Sequence, residues 1–72
     1  MAFMNKAAAD FIEAACLAET IASELAAAAD YLSKKGNAVV ARALLKEARH
    51  HTVQAIRLRA QSGSYAGRLL QR

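Results

Sequence analysis

The sequence predicts an all-α protein folded as one antiparallel two-helix hairpin, and three observations carry that expectation. Alanine dominates a chain of 72 residues that has no proline and whose three glycines all fall at position 36 or later, and summed helix propensity is informative over windows of this length. Apolar residues recur at steps of three and four along two segments, which is the spacing of a heptad seam. Between the segments stands Gly36-Asn37, a helix stop abutting a helix start. So short a connection sets two helices antiparallel and adjacent.

The first helix is expected over about residues 5–35. Asn5 suits its N-cap, and Asp10 and Glu13 near its start and Lys34-Lys35 at its end suit the helix macrodipole. Its seam reads Met4, Ala7, Phe11, Ala14, Ala18, Ile21, Leu25, Ala28 and Leu32. Gly36 fits the left-handed residue that ends a helix, and Asn37 caps the second helix, expected over 38–61. That helix has the seam Ala41, Leu44, Ala48, His51, Ala55 and Leu58, so Leu25, Ala28 and Leu32 are expected to face Ala41 and Leu44. Alanine at every seventh position lets helix axes approach toward the ~8 Å end of the packing range. Ser62-Gly63-Ser64 predicts a break, leaving 62–72 as a basic tail that holds Tyr65, Arg68, Leu69-Leu70 and Arg72.

The first helix carries a second apolar strip. Ala8, Ala15, Ala22 and Ala29 repeat every seven residues with Ile12 and Ala26 beside them, adjacent to the first seam at ~100° per residue. A helix apolar over so wide an arc needs two neighbours. The second helix is one; the other is expected from a second copy or a helical partner protein, most simply as a two-fold dimer of hairpins forming a four-helix bundle. The expected interface is Ala8, Phe11, Ile12, Ala15, Ala18, Ala22, Leu25 and Ala29.

Composition narrows the setting. Cys16 is the only cysteine, which excludes an internal disulfide and a cysteine-based zinc site and fits a reducing, cytoplasmic location. No apolar run approaches the ~20 residues that span a bilayer, so no membrane association is expected. Asp10 and Glu13 interrupt the N-terminal apolar stretch, so it does not read as a secretory signal and the chain reads as mature from Met1. The net charge of +4 conceals an asymmetry: residues 1–33 hold Lys6 against Asp10, Glu13, Glu19, Glu24 and Asp30, whereas 34–72 hold Glu47 as their one acid. An acidic half and a basic half favour mutual pairing and leave cations for an anionic partner.

The sequence shows no chemistry that a cofactor would serve. No Ser or Cys has a matching base and orienting acid, there is no Gly-rich phosphate loop, and the chain is expected to be non-enzymatic. Glu47-Ala48-Arg49-His50 resembles the Glu-x-x-His metal half-site of ferritin-like carboxylate bundles. Glu24 lies about as far before Gly36 as Glu47 lies after it, so the resemblance implies Glu24, Glu47 and His50 as metal ligands in a dimer. Helical geometry turns them outward, with Glu47 roughly 90° and His50 roughly 160° from the seam centre. His51 falls on the seam as a half-buried histidine. Arg42, Lys46, Arg49 and Arg57, with Arg68 and Arg72 of the tail, form a basic face that suits nucleic-acid phosphates, though with few aromatics for base stacking. The function expected first is self-association or docking on a partner protein through the Ala-rich seams. A nucleic-acid-binding accessory role is the alternative, and a metal-binding bundle comes third.

Overall fold

The computed structural model describes the backbone of residues 6–70 and the side chains of residues 6–63. Helix α1 spans Lys6–Lys34 and helix α2 spans Ala38–Leu70, and no strand occurs among the described residues. The Asn5 cap and Met4 lie outside them.

The turn is built as its residues dictate. Gly36 has φ 88°, a left-handed conformation that costs a side-chain-bearing residue about 1–2 kcal/mol. Its amide donates to the Ser33 carbonyl at 3.0 Å, and the Asn37 amide donates to the Leu32 carbonyl at 2.8 Å. This pair of bonds satisfies carbonyls that the end of α1 would otherwise leave orphaned. Asn37 then opens α2: its side-chain Oδ1 accepts from the Val40 amide at 3.4 Å, and its carbonyl accepts from the Ala41 amide at 3.1 Å.

Along α2 the expected seam stands. Ala41, Ala48 and Ala55 are buried, and Leu44, His51 and Leu58 flank them half-buried. Along α1 the seam is rotated by one strip from the expected one. Ala15, Ala18, Ala22 and Ala29 are buried, with Phe11, Leu25 and Leu32 half-buried, whereas Ala14 and Ala28 are exposed. Thus Leu25 and Leu32 turn toward α2 as expected, but Ala29 rather than Ala28 packs near Ala41. The reason is size. The strip 8-15-22-29 is alanine at every repeat, while 7-14-21-28 is interrupted by Ile21. Two helices approach most closely along the strip that is small throughout.

The second correction concerns the C-terminal segment. The expected break at Ser62-Gly63-Ser64 is absent, and α2 continues through it to Leu70. Ser62 is the next small residue after Ala41, Ala48 and Ala55 in the seven-residue repeat. It is buried, and its hydroxyl donates to the Ala8 carbonyl at 3.2 Å. One glycine in a helix interior costs only about 1 kcal/mol relative to alanine, so packing against α1 overrides the local signal.

The Cα trace measures 56 × 17 × 10 Å, a plate one helix thick with two broad faces. Its interior is made of small residues, and among the described residues no large side chain is fully buried.

Candidate interaction faces

On one face, Ala14, Leu17 and Ile21 of α1 border a shallow groove with His51, Gln54 and Leu58 of α2. The α1 edge of this face continues toward the turn as Glu24, Ala28 and Tyr31, at the same three-and-four spacing. Leu17 and Tyr31 are 62% and 61% exposed, and Lys35 Nζ lies over the Tyr31 ring at 5.4 Å. On α2, His50 and Arg57 stand one helical turn to either side of Gln54, so they share its edge of the face.

The opposite face is more polar. Glu19, Ser23 and Ala26 of α1 line a groove with Leu45, Arg49 and Thr52 of α2, and nearer the turn Asp30 and Ser33 meet Ala38 and Arg42. Here α1 and α2 are joined by a two-pronged ion pair, in which Arg59 Nε and Nη2 donate to Glu19 Oε2 and Oε1, each at 2.8 Å. Nη2 also approaches the Cys16 sulfur at 3.7 Å. Thr52 is one of the α2 residues that share a groove with Glu19, yet Arg59, one heptad further, makes the bond. Side chains on a helix tilt toward its own N-terminus, so in an antiparallel pair those of Glu19 and Arg59 lean toward each other. The hydrogen bonds from Arg59, with its charge adding, hold the Glu19 carboxyl below the ordinary glutamate range despite some desolvation. The same contact holds Arg59 more firmly protonated.

Arg59, which ties the two helices together, is the residue that the sequence reading missed. The available signal was its seven-residue spacing from Ala38, Leu45 and Thr52, which places it on the flank facing Glu19, together with the tilt that converges the two side chains.

Of the residues expected at an intermolecular interface, Ala8, Phe11, Ala15, Ala18, Ala22, Leu25 and Ala29 are buried or half-buried on α1, and Ile12 stays exposed. The first seven line the seam inside the hairpin, and of the strip expected inside Ala14 and Ala28 are exposed and Ile21 is half-buried, with Leu17 exposed alongside. Arg42, Lys46, Arg49 and Arg57 are all exposed. They wrap the outer side of α2 from one edge to the other, with Arg42 and Arg49 on the Glu19 side. The backbone at Arg68 is helical, but its side chain and all of Arg72 lie outside the described residues, as does the Tyr65 side chain. Glu24, Glu47 and His50 are exposed. His50 Nδ1 stands 3.7 Å from Glu47 Oε2 on the same helix, and no group of three metal-ligating side chains gathers among the described residues. No helix among them is long and apolar enough to cross a membrane. No protein-family model, curated protein or solved structure matches this chain, which leaves its own side chains as the guide to its function.

Proposed function

We propose that this chain is a non-enzymatic assembly protein in which two hairpins pair through the face bearing Ala14, Leu17, Ile21 and Ala28, forming a four-helix bundle. The supporting observation is that α1 has two apolar strips and α2 covers only one of them. The strip left over keeps helical spacing, with Ala14, Leu17 and Ala28 exposed, Ile21 half-buried and Glu24 set between Ile21 and Ala28. An exposed apolar patch of this kind marks a protein contact, and a plate one helix thick gains a second layer by laying that patch on another hairpin. Sedimentation equilibrium at micromolar concentration tests it. The wild type is expected to be a dimer. Leu17→Glu, which would bury an unpaired charge in the interface, is expected to be a monomer with unchanged helical circular dichroism. A well-folded wild-type monomer refutes the proposal.

A second reading rests on the cations. Among the described residues, none of Arg42, Lys46, Arg49 and Arg57 forms an ion pair, so each is open to a nucleic-acid phosphate. Retention of mixed DNA or RNA that weakens steeply as salt rises supports that reading.

A further inference from the structure

We infer that the outer side of α2 is a docking surface for double-stranded DNA, which the plate meets edge-on with α1 turned away. This deepens the second reading above, on which it rests, and is independent of self-association. The first argument is charge. Opposite its seam, α2 presents Arg42, Lys46, Arg49 and Arg57 to solvent, and among the described residues that side bears no Asp or Glu. Glu47, the one acid of α2, stands a heptad before Gln54 and so on the flank of the open face, with Oε2 3.7 Å from His50 Nδ1. The α1 acids that share a groove with Arg42 and Arg49 are engaged elsewhere: Asp30 with Lys34 at 3.0 Å, and Glu19 with Arg59 at 2.8 Å. Helix α1 itself holds Asp10, Glu13, Glu19, Glu24 and Asp30 against Lys6 and Lys34. The plate is therefore polarised across its 17 Å width, and its field steers a polyanion onto α2 and away from α1.

The second argument is shape and composition. From Arg42 to Arg57 the cations run along about 22 Å of helix. A small anion reaches one or two of them, whereas a duplex, with one charge per roughly 1.7 Å of axis, reaches all four. Three are arginines, whose forked guanidinium matches phosphate oxygens. Edge-on, the plate presents a single helix. The major groove of B-form DNA, roughly 12 Å wide, admits one helix, and the narrow major groove of A-form RNA does not. Single strands are held by stacking of bases on aromatic side chains, and this side of α2 has none among the described residues. A bilayer surface calls for a continuous apolar strip beside the cations. Here Lys46 separates Val39 from Val53 at seven-residue spacing, and Ile56 shares its line of the helix with Arg42 and Arg49, so cations interrupt both lines.

The test is binding of a short mixed-sequence DNA duplex, followed by fluorescence anisotropy over a range of salt. Two full-length variants lose equal charge at exposed positions, Arg42→Gln with Arg49→Gln, and Lys6→Gln with Lys34→Gln. The first is expected to bind roughly tenfold or more weakly than the wild type at about 0.1 M salt, and to lower the slope of log affinity against log salt by about two. The second is expected to keep the wild-type slope, and both to keep the wild-type helical circular dichroism. If both lose affinity alike, net charge rather than this face governs binding, and the inference fails while the nucleic-acid reading stands. If the wild type binds no DNA or RNA at low salt, both fail; binding to vesicles of phosphatidylcholine with phosphatidylglycerol would then assign the cations to lipid. Tighter binding of an RNA duplex than of DNA overturns the choice of groove. A second measurement does not depend on charge. In a Cys16→Ser background, a benzophenone maleimide on Val53→Cys is expected to crosslink to the duplex under light, and one on Ala27→Cys is not. Crosslinking from Ala27→Cys in its place overturns the orientation.

Discussion

Ala15 is fully enclosed against α2, while Ala27, further along the same helix, faces outward. That difference sets what each position tolerates. Ala15→Leu forces three extra carbons between closely packed helices and is expected to destabilise the hairpin by about 1–3 kcal/mol. Ala27→Leu, away from both α2 and the open face, is expected to stay within about 0.5 kcal/mol. Urea unfolding followed by circular dichroism, at one protein concentration, compares them; equal losses would place the seam elsewhere. Residues whose conformation is decided locally were the most legible. Gly36 and Asn37 act through their own backbone and nearest amides, so their roles could be read from two letters. Arg59 could not be read this way, because its partner lies forty positions away and is reached only through the tilt of two helices.

At the scale of the element, α2 was legible and α1 only in part. Helix α2 has one small-residue repeat, so its inward face has one solution. Helix α1 has two overlapping strips that share Phe11, Ala18, Leu25 and Leu32, and hydrophobic periodicity alone does not choose between them. The size of the intervening residue does, through Ile21. The end of α2 was misread because turn-forming letters were weighed without the seam that Ser62 extends. The pairing of the elements predicts an acid response. Since Glu19 titrates below its ordinary range when folded, its contribution is present above the unfolded value of about 4.3 and is lost as pH falls through the lower folded value. The melting temperature of the wild type is therefore expected to exceed that of Glu19→Gln at pH 6 and to converge with it toward pH 3. A difference that persists unchanged in acid would show that the carboxylate charge is not what joins the helices there.

For the whole molecule, the hairpin was legible and the outward face was not, because deciding which strip stays open requires first knowing which one α2 takes. The proposal of a second neighbour for α1 rests on the width of its apolar arc and not on which strip α2 takes. The seam also has a consequence for length. Its small residues recur every seven positions on both helices, and the devices that set alignment lie outside residues 22–28 and 43–49: the turn on one side, Glu19–Arg59 and Ala8–Ser62 on the other. The middle is thus a ruler graduated in sevens. Removing residues 22–28 together with 43–49 shortens the plate by about 10 Å yet keeps every remaining graduation in phase. That chain is expected to fold and melt cooperatively at a lower temperature, and to pair more weakly because its open strip has lost a repeat. Removing 22–28 alone slides one helix a full graduation past the other, so that Ala8 no longer finds Ser62. It is expected to melt lower still, although it has lost fewer residues. Chain length in this protein is a quantity that selection can adjust in whole repeats, provided that both helices are cut alike.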